Sequence, residues 1–292
     1  QNGKINLLKA ESIADLISSE TEIQRKQAIK IMKGKSSKQF NLWRESLLKV
    51  LSHVEAKIDF PDEDLPENIF LEIKKKVGEV SKEIKKTLDD QKVGERIREG
   101  FKIAIVGPTN AGKSSLINYL SKKEVAIVSE IAGTTRDVIE THLNLDGYPV
   151  IVSDTAGIRD SKDEIEKKGV RLALKRAEDA DLNIVVIEPK SAHFAGFLND
   201  LVSNKSIVVI NKSDLNINNI SNDLKKHNPI FISLKKEKNL TKLIFLIKEK
   251  LKNKFINSED ILITRERHRQ HLDQCVSHLE NFKQKKKRKR FW

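Results

Sequence analysis

The sequence predicts an α/β domain, a mostly parallel sheet with helices on both faces, inserted in an all-α helical domain. Three observations predict it. Short apolar runs, FKIAIVG, YPVIVSD, LNIVVIE, SIVVINK and NPIFIS, alternate with helical patterns between residues 101 and 255. The residues before them carry apolar positions at helical spacing, and a stretch from about Ser258 through Phe282 returns to that periodicity. Helical texture on both sides of the strand region puts one domain inside the other. The expected organisation is residues 1–99 and 256–284 as the helical domain, 100–255 as the α/β domain and 285–292 as a basic, disordered tail.

From the N-terminus, Leu7, Leu8, Ile13, Leu16, Ile17, Ile23, Ile29 and Met32 fall at helical spacing up to Gly34, and a second helical run extends from near Ser37 to Ile58. Pro61 and Pro66 force a break. After it, Ile69, Ile73, Val77, Val80, Ile84 and Leu88 repeat every three or four residues, which predicts one long amphipathic helix leading to Gly100. Three such helices have to bury their stripes against one another or against the returning segment. Within the α/β region, VIETHLNLDGYPVIVSD reads as two strands joined by an Asp146-Gly147 hairpin turn, the one antiparallel element expected.

Composition bounds the possibilities. A chain of 292 residues, 38% hydrophobic and 33% charged, fits two globular domains. It holds no apolar run of ~18 residues that could span a bilayer, and its N-terminus lacks the basic-then-apolar layout of a secretory signal, so a cytoplasmic location is expected. The lone Cys275 excludes an internal disulfide, no CxxC pair or zinc-spaced cluster is present, and the residue reads as inert packing. The net charge of +13 is concentrated at the end, in Lys283, Lys285, Lys286, Lys287, Arg288, Lys289 and Arg290. That run is either a solvated tail or an electrostatic contact for RNA.

The motifs carry the chemistry. Gly107-Pro108-Thr109-Asn110-Ala111-Gly112-Lys113-Ser114 matches GxxxxGK(S/T) between a strand and a helix, the context in which successive N–H groups cradle phosphates. Asn110, Ala111, Gly112, Lys113, Ser114 and Ser115 are the expected phosphate-side contacts, with Lys113 neutralising the β and γ phosphates and Ser114 holding Mg2+. Asp154-Thr155-Ala156-Gly157 ends a strand, so Asp154 is expected to hold Mg2+ and Gly157 to sense the γ phosphate. Thr135, in Gly133-Thr134-Thr135-Arg136-Asp137, is the candidate second Mg2+ ligand. Asn211-Lys212-Ser213-Asp214 selects the base: a carboxylate pairs with the N1–H and exocyclic amino group of guanine, whereas adenine leaves it unpaired. GTP and GDP are therefore the expected ligands, with Ser233 at the last base-contacting position. The residue after Gly157 is Ile158, whose side chain cannot orient an attacking water, so another group has to do so.

The combination GPTNAGKSS, IAGTTRD, DTAGIRD followed by DEIEKKG, and NKSD resembles the MnmE (TrmE) family of tRNA-modification GTPases, and NGKINLLKAESIADLISSETE is similar to the start of that family's helical domain. The likeness runs to about residue 282. It implies a P-loop GTPase stimulated by K+ when two G domains meet across their nucleotides, with Asn110, Ser129, Ile131 and Thr134 around the K+ ion. It also implies Glu166 as the water-positioning group, with Lys113 and Thr135 completing the catalytic set. The implied partners are an MnmG-type flavoprotein and tRNA, whose wobble uridine receives a carboxymethylaminomethyl-type modification from a folate-borne one-carbon unit. Homodimerisation would run through the G domains and through a folate-binding N-terminal domain that this sequence does not contain. The family's C-terminal Cys-x-Gly-Lys box is also not in this sequence, and Cys275 does not inherit its role. Pro108-Thr109 departs from the family's x-Pro order in the phosphate loop. Two other readings stay open on the residues alone: a ribosome-assembly-type regulatory GTPase, and a truncated nucleotide-binding remnant with little turnover.

Overall fold

A computed structural model describes residues 4–60, 69–123, 125–127, 140–154, 174–189, 202–215, 225–255 and 261–284. They fall into two compact units, one drawn from residues 1–19, 23–98 and 255–292, the other from 20–22 and 99–254.

The helical unit is built from α1 (Leu7–Ile17), α2 (Glu22–Met32), α3 (Lys35–Asp59), α4 (Ile69–Leu88), α5 (Val93–Glu99) and a returning helix, which we number α8 (Glu266–Gln284). The Asn6 side chain caps α1 by accepting from the Lys9 N–H at 2.8 Å. The predicted single run from Leu7 to Met32 is in fact two helices. The Ser18 and Ser19 hydroxyls donate to the carbonyls of Asp15 and Leu16, so local side-chain bonds end α1 where the apolar spacing alone would continue it. The predicted long helix to Gly100 is also interrupted: Gln91 and Lys92 adopt φ of +53° and +59°, conformations that end one helix and let α5 start afresh. In α4 the predicted stripe is the buried face, with Ile73, Val77, Val80 and Ile84 all at 3% exposure or less. Val80 and Ile84 join Trp43 of α3 and Val276 of α8 in one apolar cluster. In the described part of the returning segment, residues 261–265 are not helical, with Ile261, Ile263 and Thr264 buried, and the helix begins at Glu266; the expected start at Ser258 lies outside the described residues.

The second unit is a seven-stranded sheet in the order β2-β3-β4-β1-β5-β6-β7. Its strands are β1 (Phe101–Val106), β2 (Val125–Ile127), β3 (Glu140–Leu145), β4 (Tyr148–Asp154), β5 (Leu182–Ile187), β6 (Ser206–Ile210) and β7 (Ile230–Phe231). Helices α6 (Lys113–Lys123) and α7 (Leu240–Phe255) accompany it, with further helical residues at 174–179. From β4 to β7 every pairing is parallel. The β3–β4 hairpin turns at Asp146 and Gly147, both at positive φ (+51° and +89°), as a two-residue turn matched to strand twist requires. A second antiparallel pairing, β2 with β3, was not expected from the sequence, because three residues of strand are too few to display a period.

Both faces of the sheet are buried. Ala104, Val106, Val185, Ile187, Val208 and Ile210 form one cluster with Ala177 and Ala180, on and just after the helical residues 174–179. The alternate residues Ile103, Ile105, Ile184, Val186 and Val209 point the other way and are at most 1% exposed. Burial on both faces explains why these strands read as continuous apolar runs.

Candidate functional site

Parallel strands bring their carboxyl ends to one rim, and the loops leaving β1, β4, β6 and β7 carry the predicted residues. Ile105 stands in register with Asp154, Val106 with Val185, Ile187 with Ile210 and Ile210 with Phe231, so the exits are level across the rim. Of the predicted site residues, Glu166, Thr135, Gly157, Ser129, Ile131 and Thr134 lie outside the described residues, and of Asp154 only its place at the end of β4 is described.

The loop after β1 is held by close backbone approach. A Cβ on Gly107 would stand 2.0 Å from the Val186 carbonyl oxygen of β5, so no larger residue fits there. Asn110 (φ +63°) and Gly112 (φ +101°) turn the chain back into α6. Lys113, 7% exposed, donates from Nζ to the carbonyl oxygens of Gly107 (2.9 Å) and Pro108 (2.8 Å). The ammonium is thus folded over the mouth of its own loop. Ser114 and Ser115 are exposed in the first turn of α6, beside the helix N-terminus whose amides favour anions.

Asn211 ties the loop after β6 to the phosphate loop. Its Nδ2 donates to the Ala111 carbonyl at 2.9 Å, and its Oδ1 accepts from the Leu234 N–H at 3.2 Å, with the residue 3% exposed. Sequence reasoning placed Asn211 among the nucleotide contacts. Its described hydrogen bonds brace three loops of the rim against one another, a role that no motif position announces. Asp214 is part-exposed, and the buried Ser233 hydroxyl donates to its Oδ1 at 2.6 Å. That bond, followed by one from the backbone N–H of Asp214 itself, holds the carboxyl below its ordinary value, and Lys236 and Lys235 pull in the same direction. An ionised, oriented carboxylate is the acceptor that guanine's two donors require. Lys212, at φ +59°, pairs with Glu188 just beyond β5, a partner that no motif singles out.

Fold and rim together define a class: a P-loop domain of the guanine-nucleotide-binding kind. The family profile described as "MnmE helical domain" matches residues 7–291. The chain belongs to the MnmE family. It is 68% identical over 285 residues to the tRNA modification GTPase MnmE of Pelagibacter ubique (strain HTCC1062), covering 98% of this chain and 64% of that protein. It is 43% identical over 285 residues to the protein of the same name from Rickettsia bellii (strain OSU 85-389), covering 96% and 64%. The chain therefore spans about 64% of the length of these curated relatives. Among solved structures, a variant of Era from Aquifex aeolicus bound to GDP and aluminium fluoride shares 32% identity, covering 51% of this chain and 56% of that one, with a TM-score of 0.37.

No helix among the described residues is long and apolar enough to cross a membrane.

Proposed function

We propose that this chain binds GTP with Mg2+ and hydrolyses it in the service of tRNA wobble-uridine modification of the carboxymethylaminomethyl type. The observation that carries the reading is the shared rim: the phosphate loop, the end of β4 and the Ser233-oriented Asp214 meet at the carboxyl ends of neighbouring parallel strands, with Asn211 bonded to both loops. The residues present fit a magnesium nucleotide. Lys113 supplies a positive charge and α6 its N-terminal amides for the phosphates, while Ser114, exposed in the first turn, offers a hydroxyl oxygen for the metal, with Asp154 and Thr135 as the other ligands. When bound, Mg2+ neutralises charge that develops on the phosphates. Asp214 excludes adenine nucleotides by offering them an unmatched acceptor.

Catalysis falls to Lys113, Thr135 and Glu166, with Glu166 orienting the water that Ile158 cannot. The exposed Asn110, at the left-handed apex of the phosphate loop, serves with Ser129, Ile131 and Thr134 as the K+ site. K+ supplies there the transition-state charge that an arginine would otherwise provide. The working assembly is a homodimer closed through the G domains and through a further N-terminal domain, acting in the cytoplasm with tRNA and an MnmG-type flavoprotein. The relatives' name, tRNA modification GTPase MnmE, supports this reading over a ribosome-assembly switch.

GTP hydrolysis measured in K+ against Na+ at equal ionic strength tests it. The expected result is a K+-dependent rate at least about tenfold above that in Na+, lost in Asn110→Ala and in Glu166→Ala. Equal rates in both salts remove the cation-assisted mechanism, and an unaffected Glu166→Ala removes the assignment of the water-positioning group.

A further inference from the structure

The strands at the rim stand in the order β1, β5, β6, β7. The phosphate loop leaves β1 and the guanine-selecting segment leaves β6, so a nucleotide that engages both has to pass over the end of β5. The residue there is Glu188, immediately after Ile187. Unneutralised, its carboxylate would lie on the route of a polyanion and repel it. It is neutralised: Lys212 Nζ stands 2.5 Å from Glu188 Oε2, with the two side chains 35% and 26% exposed. Lys212 is one of the non-glycine residues at positive φ among the described residues, and its side chain reaches back from the end of β6 to the end of β5. Its four-carbon stem therefore spans from the end of β6 to the end of β5.

We propose that Glu188 is a positioning residue for guanine-nucleotide binding, acting through Lys212. By anchoring the ammonium at the end of β5, it holds the Lys212 stem along the path of the nucleoside, as a surface for the base and ribose. It also keeps that ammonium away from Asp214, two residues on, whose carboxylate has to stay open for the base. A long side chain fixed before binding has no rotamer freedom left to lose when the nucleotide arrives. The proposal rests on the reading of this rim as a guanine-nucleotide site.

The test is titration of the full chain with a fluorescent GDP analogue, for the wild type, Glu188→Gln, Lys212→Ala and the double variant, with unfolding midpoints measured alongside. Glu188→Gln is expected to weaken GDP about fivefold, the scale of one part-exposed ion pair, with an unchanged midpoint. In the Lys212→Ala background the same change has no further effect, because the group through which Glu188 acts is gone. Wild-type affinity in Glu188→Gln, or a fivefold loss that persists in the Lys212→Ala background, overturns the proposal while leaving the nucleotide site standing. A wild-type chain that takes GDP no better than ADP overturns both.

Discussion

The amide of Asn211 ties three loops of the rim together, donating from Nδ2 to the Ala111 carbonyl and accepting at Oδ1 from the Leu234 N–H. The sequence pattern reads the tetrapeptide as a base-selecting loop, and these two bonds within the protein give Asn211 a bracing role that the pattern does not announce. The packing leaves no slack, since a Cβ on Gly112 would come within 2.2 Å of Asn211 Nδ2. Asn211→Ala strands a carbonyl and an N–H that the side chain had satisfied, at a cost of about 2–4 kcal/mol. The expected outcome is a lowered unfolding midpoint of the chain without nucleotide, together with loss of GDP binding. A pure nucleotide contact would instead leave the unliganded midpoint where it was, so urea unfolding in the absence of GDP separates the two roles. Asn211→Asp should fare no better, because it sets a carboxylate oxygen against the Ala111 carbonyl.

At the scale of elements, sequence pattern and structure agree where burial imposes a period and part where local geometry decides. β1, β5 and β6 were legible because they are buried on both faces, and α4 because its buried stripe repeats every three or four residues. The break between α4 and α5 was not: it is made by Gln91 and Lys92 at positive φ, and neither glycine nor proline marks it. The start of α8 was not marked because the apolar Ile261, Leu262 and Ile263 run towards the helix with neither proline nor glycine to signal where it begins. Two glycines in these helices test how far propensity governs the outcome. In α4, a Cβ on Gly78 meets nothing nearer than Lys283 Nζ at 3.6 Å. Gly78→Ala should therefore stabilise the helical unit by about 0.5–1 kcal/mol, the ordinary gain of alanine over glycine in a helix. In α5, a Cβ on Gly94 would stand 1.9 Å from the Ile263 carbonyl oxygen, a backbone atom, and 2.6 Å from the Ile261 side chain. Gly94→Ala gains the same propensity but has to push α5 off the 261–264 strip, and the expected net result is a loss of at least about 2 kcal/mol. Far-UV circular dichroism in a urea series reads both, and equal shifts of the same sign would show that the close approach of Gly94 to Ile263 does not constrain the fold.

At the scale of the whole molecule, the two units differ in how the chain builds them, and this decides which can stand alone. Every described residue of the nucleotide rim, from the phosphate loop to Ser233, comes from one continuous stretch, and the sheet beneath it closes within that stretch. The helical unit instead needs both ends of the chain. Ser36 donates to the Leu262 carbonyl at 2.8 Å, and Val276 completes the cluster around Trp43 and Ile84. Arg269, 6% exposed, donates to Glu95 at 2.8 Å, to the Leu88 carbonyl at 2.7 Å and to Asp90 at 2.5 Å. Burial of the Arg269 guanidinium is offset by these partners, and its pKa is raised above the ordinary arginine value. Without α8, Glu95, itself 5% exposed, is left as a buried carboxylate with its cation removed, a defect worth about 3–5 kcal/mol in a unit that also loses part of its apolar core. Residues 99–255 expressed alone should consequently fold and bind GDP within roughly threefold of the full chain, as a domain with its own core does. Residues 1–98 alone should show helical content without a cooperative transition, and adding residues 261–284 as a separate peptide should restore one. Cooperative unfolding of residues 1–98 without that peptide would mean that the Arg269 clamp and the Val276 contact are dispensable, and that the returning helix adds to a unit already complete.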